Sequence, residues 1–349
     1  GSFSKIVEHV LGARFAGILR LLVVINGLGV VIAYLQTVID VYQAVQSETG
    51  QLGALGSRFI VILLVGLAVS TGLDTFLGHV ADWGSLLANA SLLGLIALFY
   101  ACPAPELSNC QAVVRSETMS DAVLRFGHSL IFAFTSAEYV LYACSVADDQ
   151  GRLVADVSDV NMRYRIRCIG AASLMISALL YIFVGLSGWS AFGQCVKKDV
   201  LSNLAPVEAP LGWANAFAAV LALNALSLVL SFPVFVQTLL LYLRELFAAH
   251  VPGHLSDQLQ SFFDPERTWK GACWVVPVAG VIVQFVPDLL WIIDLVCSWT
   301  DVFFMFVFPP LIFILKPLAD WKEVPVKIFS LLLLSGALTL NAAKWYGML

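Results

Sequence analysis

The chain has little charge for its length. Only 12% of its 349 residues are Asp, Glu, Lys or Arg, about half the fraction of a typical soluble domain, and 60% are hydrophobic. The apolar runs have the length of helices, not of the alternating strand segments of a membrane barrel. We therefore predict an all-α integral membrane protein. The net charge of −5 gives no support for nucleic-acid binding.

Motifs of metal sites and enzymes are also missing. The seven cysteines form neither a CxxC pair nor a Cys/His ligand spacing. The sequence offers no Gly-rich phosphate loop and no nucleophile–base pair, so we predict no metal, no cofactor and no enzymatic activity. Cys102 and Cys110 lie in one polar loop. A disulfide between them is one interpretation, and spacing by chance is the other.

Hydropathy predicts nine transmembrane helices in a single helical domain, residues 15–345. They cover residues 15–38, 58–77, 83–101, 124–147, 168–190, 213–245, 270–286, 289–315 and 325–345. Residues 1–14 place apolar side chains on one side of a helix and Lys5, Glu8 and His9 on the other. This segment is either a short interfacial helix or an extension of the first span.

Basic residues predict the orientation. With the N-terminus inside, the inner ends of the spans carry thirteen Lys and Arg against six at the outer ends. The positive-inside rule then favours an N-terminus inside and a C-terminus outside. Arg20, near the start of the first span, is expected to snorkel to the interface. The membrane itself is left open among plasma, vacuolar or lysosomal, and mitochondrial inner membranes.

The fourth span carries polar residues at its centre. Thr135, Ser136 and Glu138 lie in the middle of the apolar run 124–149. A carboxylate at mid-membrane costs at least a few kcal/mol, so it must face protein or water. Discontinuous helices with such clusters build substrate sites in secondary transporters, which makes these three residues candidates for substrate binding. Alternatively, the hydroxyls of Thr135 and Ser136 bond only to the backbone.

The sixth span holds Asn224, Ser227 and Ser231 close to Pro233. Hydroxyl and amide oxygens suit Na⁺, so these side chains are candidates for cation coupling. In the alternative interpretation, Ser231 satisfies the carbonyl that Pro233 leaves without its donor.

The eighth span places Asp294, Ser298 and Asp301 on one helix face, at i, i+4 and i+7. The two carboxylates are candidates for a proton relay, although Asp301 could equally pair with a neighbouring Arg or hydroxyl. Pro309 and Pro310 are expected to break this span near its end.

Four segments resemble consecutive landmarks of the amino acid/auxin permease family. They are FGHSLIFAFTSAEYVLYACSVADD (126–149), LLYIFVGLSGWSAFGQCVKKDVLSNL (179–204), LSLVLSFPVFVQ (226–237) and WIIDLVCSWTDVFFMFVFPPLIFIL (291–315). In that family they correspond to the sixth helix, the end of the seventh, the proline of the eighth, and the tenth helix with its terminal proline.

This resemblance implies a LeuT-type fold, in which ten helices form two inverted repeats. Residues 15–38 then correspond to the third helix of the family, so this sequence lacks the first two. One hypothesis is a secondary amino-acid transporter coupled to H⁺ or Na⁺. The other is a transport-inactive structural subunit of a larger organellar or respiratory membrane complex, in which other subunits cover the face left by the missing helices.

Overall fold

The computed structural model describes residues 3–46, 61–62, 65–66, 80–101, 160–193, 211–251, 254–263, 268–285, 296, 300, 302–315 and 323–348. Among these residues the regular structure is entirely helical. The α-helices are α1 (Phe3–Leu11), α2 (Ala13–Gln46), α3 (Val80–Ala101), α4 (Val160–Phe192), α5 (Leu211–His250), α6 (His254–Phe262), α7 (Thr268–Phe285), α8 (Phe308–Leu315) and α9 (Val324–Met348), and a π-helical turn covers Phe303–Val307.

Three helical segments are long and apolar enough to cross a membrane: Ala13–Tyr42, Cys168–Phe192 and Ala218–His250. They coincide with the first, fifth and sixth predicted spans. Shorter apolar helices lie within the third, seventh and ninth predicted spans. The prediction of membrane helices is confirmed. The count of nine stays a prediction, because the fourth span and most of the second lie outside the described residues.

Gly12 separates α1 from α2. Its backbone has a positive φ of 92°, a conformation that costs Gly little and other residues much more. The Gly12 N–H donates to the carbonyl of Glu8 at 3.0 Å and closes α1. Residues 3–11 therefore form a helix of their own, and its position at a membrane interface stays a prediction.

Several loop boundaries differ from the sequence prediction. The helix α4 begins at Val160, so Arg163, Arg165 and Arg167 lie in its first turns and not in the predicted loop. The predicted loop after the sixth span contains the helix α6. Helix propensity does not penalise Arg or other long polar side chains, so helices can continue beyond the apolar runs that hydropathy detects.

The chain divides into two compact units, and α2 and α5 contribute to both. The first unit comprises Gly1–Ala33, Glu117–Asp159 and Val234–Leu349, and the second comprises Tyr34–Ser116 and Val160–Pro233.

In the first unit, α2 and α5 pack antiparallel with small residues at the contact. A methyl group built on Gly17 would lie 3.5 Å from the His250 ring, and one on Gly27 would lie 3.4 Å from Leu239. As the α2 residue number rises, the α5 partner number falls. Close approach through glycine is typical of membrane helices, where van der Waals packing drives helix association.

The helix α1 completes a core of this first unit. The buried members of the core come from α1, α2, α5 and the region of the π-helical turn: Val7, Ala16, Leu19, Val23, Tyr242, Phe304 and Phe308. Val7, on the apolar side of α1, is buried in this core, whereas Ile6 and Val10 of the same helix are exposed.

Pro309 and Pro310 were predicted to break their span near its end. This prediction is wrong, because the helix continues through both prolines. In an α-helix their rings would clash with the carbonyls four residues earlier, which fall in the π-helical turn Phe303–Val307. This turn has a wider backbone, with a hydrogen bond from the Phe308 N–H to the carbonyl five residues before it. The helix accommodates both prolines and continues to Leu315.

The second unit has its own core, formed by α3, α4 and α5. Leu95 and Phe99 of α3 pack with Phe192 of α4 and Val220 of α5. The rings of Phe99 and Phe192 meet edge to face with centroids 5.7 Å apart. Most of α4 is exposed within the described structure, which suits a helix that contacts lipid.

Candidate functional site

The three predicted cation-coupling residues of α5 share one helix face. Asn224, Ser227 and Ser231 stand at i, i+3 and i+7. Ser227 is buried, and the other two are half-buried. The Ser227 hydroxyl donates to the carbonyl of Asn224 at 2.7 Å, and the Ser231 hydroxyl donates to the carbonyl of Ser227 at 2.8 Å. These bonds use the hydroxyl protons, while each oxygen retains acceptor capacity for a cation.

One alternative for Ser231 is wrong. The carbonyl that Pro233 deprives of a donor belongs to Val229, four residues earlier. The Ser231 hydroxyl bonds instead to the carbonyl of Ser227. Ser231 therefore does not compensate for the proline, and Ser227 and Ser231 form a linked pair along the helix.

In the second unit, α2 lies beside this part of α5. The ring of Tyr34 contacts the ring of Phe232, the neighbour of Ser231, with centroids 6.2 Å apart and an angle of 67°. Because the helices run antiparallel, residues after Tyr34 lie level with residues before Phe232. At 1.5 Å per residue, Asp40 of α2 is about 9 Å from Tyr34 along the axis, close to the level of Ser227.

A polar pair on α2 was not predicted from the sequence. The Gln36 Nε2 donates to the Asp40 Oδ1 at 2.7 Å. Gln36 is only 1% exposed, and among the described residues its Oε1 has no hydrogen-bond partner. The predicted span ended at residue 38, so Asp40 was assigned to a loop. The i, i+4 spacing and the apolar Ile39 and Val41 beside Asp40 were the signals that the helix continues.

The other predicted site residues lie outside the described residues. They are Thr135, Ser136 and Glu138 of the fourth span, Asp294 and Asp301 of the eighth span, and the cysteines Cys102 and Cys110. Their roles in substrate binding, proton relay and a disulfide stay predictions.

A charged cluster lies in the first unit, around Arg20. Arg20 is only 7% exposed, so its guanidinium lies among protein groups; its position at a membrane interface stays a prediction. Its Nη2 lies 2.6 Å from the Glu8 Oε2, and its Nε lies 3.5 Å from the Glu245 Oε2. Ser4 of α1 also contacts α2 and α5. Its hydroxyl donates to Glu245 at 2.5 Å and accepts from the Arg20 Nε at 3.4 Å. Two carboxylates thus hold the guanidinium away from the surface.

Comparison with known proteins identifies the family. A search of curated proteins finds no match to the chain. The family model described as "Transmembrane amino acid transporter protein" matches residues 1–335, nearly the whole chain, and agrees with the helical membrane segments described above. The chain belongs to the family of transmembrane amino acid transporter proteins.

Proposed function

We propose that the protein is a secondary transporter that moves amino acids together with a cation, H⁺ or Na⁺. The observation that carries this proposal is the family match over residues 1–335. The helical fold with membrane-length apolar segments supports it. A LeuT-type bundle of nine spans, with the N-terminus inside and the C-terminus outside, is part of the same proposal.

The residues of α5 are proposed to form the cation side of the site. Ser227 and Ser231 offer hydroxyl oxygens whose protons already bond to the backbone, and Asn224 adds an amide oxygen. Hard cations prefer such neutral and anionic oxygen ligands. Thr135, Ser136 and Glu138 are proposed to contact the substrate, and Asp294 and Asp301 to relay protons.

Asp40 is proposed as a further proton acceptor. Its carboxylate accepts a hydrogen bond from Gln36, and an amide can instead accept a bond from a protonated carboxyl group through its Oε1. A Gln–Asp pair can therefore serve both protonation states. With the proposed orientation, Asp40 lies toward the outer end of α2 and would take its proton from the outside.

The test is transport by the full chain reconstituted in proteoliposomes. Uptake of a panel of radiolabelled amino acids is measured with an inward H⁺ gradient, with an inward Na⁺ gradient and with neither. We expect accumulation with one of the two gradients only. Absence of uptake under all three conditions would overturn the proposal and would favour the transport-inactive subunit of a larger complex.

A matched pair of serine variants tests the cation side. Ser227 and Ser335 both donate to the carbonyl three residues earlier, at 2.7 Å and 3.0 Å, but Ser335 is exposed. We expect Ser227→Ala to raise the cation concentration needed for half-maximal uptake, and Ser335→Ala to leave it unchanged. Equal behaviour of the two variants would contradict a cation role for Ser227.

A further inference from the structure

A cavity of about 440 Å³ adjoins the Arg20 cluster in the first unit. Its polar lining comes from α1, α2, α5 and α6: Lys5, Glu8, Arg20, Arg244, Glu245 and Gln260. Leu241, Ala248 and Ala249 of α5 add an apolar wall. The volume falls in the range of small-molecule sites, about 300–1,000 Å³.

The lining carries both signs of charge. Three cations and two carboxylates face one space. The carboxylates differ in access, because the side chain of Glu8 is 45% exposed and that of Glu245 only 16%. On the cationic side, Lys5 and Arg244 are exposed, whereas Arg20 is buried between the carboxylates. The accessible charges are therefore one carboxylate and two cations.

We infer that this cavity binds a free amino acid as a zwitterion, separately from the transport site proposed above. The α-carboxylate would accept charge-assisted hydrogen bonds from Arg244 and Lys5, and the α-ammonium would donate to Glu8. A small apolar side chain would lie along Ala248 and Ala249. The inference rests on the proposed function only in taking its ligand from the class of molecule that is transported.

Ligands of one charge fit this lining less well. A phosphate ion would meet the exposed Glu8 beside Lys5 and Arg244, and a simple amine would meet Lys5 and Arg244 beside Glu8; like charges brought together disfavour binding. A zwitterion meets a partner at each end.

The experiment uses the full chain in lipid nanodiscs with Ala249→Cys at the cavity wall. Modification of this cysteine by a maleimide is followed by mass spectrometry of its peptide, so the native cysteines do not contribute. The probes are L-alanine, L-leucine and L-glutamine, with propionate, ethylamine and inorganic phosphate as single-charge probes. A bound ligand slows modification by the factor 1 + [L]/Kd, or about tenfold at nine times Kd.

We expect protection by amino acids and none by the single-charge probes at equal concentration. Modification of a cysteine placed at the exposed Tyr164 of α4, before the apolar segment Cys168–Phe192, should be unaffected. In the Ala249→Cys background, Arg244→Ala should abolish the protection, whereas Arg165→Ala, a change at an exposed arginine of α4, should preserve it. If Arg244→Ala does not fold, Glu8→Gln decides the same question.

Three results would overturn the inference. They are protection by phosphate or propionate alone, protection that survives the loss of Arg244 (or of the Glu8 charge), and no protection by an amino acid that the protein transports in proteoliposomes. The inference and the proposed function fail separately, since protection without uptake overturns transport alone and uptake without protection overturns the cavity site alone.

Discussion

Replacing Gly29 by Ala probes a close contact with Val296 in the first unit. The added methyl group would lie 2.3 Å from the Val296 Cγ2 and 2.9 Å from its Cγ1. Both distances are far inside van der Waals contact at 3.5–4.0 Å. Valine has a stiff χ1, so one of the helices has to move. Overpacking of this kind costs about 1–3 kcal/mol, and the higher helix propensity of Ala offsets about 1 kcal/mol at most.

The assay compares unfolding of detergent-purified variants with a matched control. Gly185 of α4 has open space where a methyl group would be added, so Gly185→Ala should keep or slightly raise the unfolding midpoint. After this offset, Gly29→Ala should lower the free energy of unfolding by up to about 2 kcal/mol. If the two variants have the same midpoint, Gly29 and Val296 are not in contact as described, and the packing of this unit has to be revised.

The remaining predictions concern charged residues. Arg20→Met should destabilise the protein by about 2–4 kcal/mol, because Glu245 loses its cation while it is mostly buried. Glu8→Gln should cost less than about 1 kcal/mol, because Glu8 is half-exposed. Thermal unfolding of both variants in detergent measures the difference, and equal losses of stability would refute the burial argument. Asp40→Asn should reduce H⁺-driven uptake to the level seen without a gradient. Asp257→Asn, a change at an exposed residue, should leave H⁺-driven uptake unchanged. If uptake by Asp40→Asn still depends on the H⁺ gradient, Asp40 is not a proton acceptor.

Hydropathy predicted the long helices because lipid imposes a length and an apolar composition on each span. The first, fifth and sixth predicted spans lie inside α2, α4 and α5. It placed helix ends poorly for the same reason: hydropathy measures the apolar run, and a helix continues beyond it wherever propensity and neighbouring helices allow. For this reason Asp40, which lies in α2, was assigned to a loop.

Side-chain contacts between residues far apart in the chain could not be predicted from the sequence. Burial of Arg20 depends on Glu8, which is close in sequence, and on Glu245, which is more than 200 residues away. Without knowing that α5 returns antiparallel to α2, the general behaviour of a basic residue near a span end was the best guide, and it predicted only a position near the membrane interface. By contrast, the close contact at Gly27 and Gly29 was predictable, because small residues on a membrane helix favour close packing.

Arg20 and Asp40, two of the three charged residues of α2, set limits on its depth in the membrane. Arg20 and Asp40 are 20 residues apart on one continuous helix, which corresponds to about 30 Å at 1.5 Å per residue, the thickness of the hydrocarbon core. A charge costs least at a boundary of this core, and with Arg20 at one boundary the length of the helix would put Asp40 near the opposite one. A carboxylate there can exchange protons with water on the far side while Gln36 ties it to the helix interior.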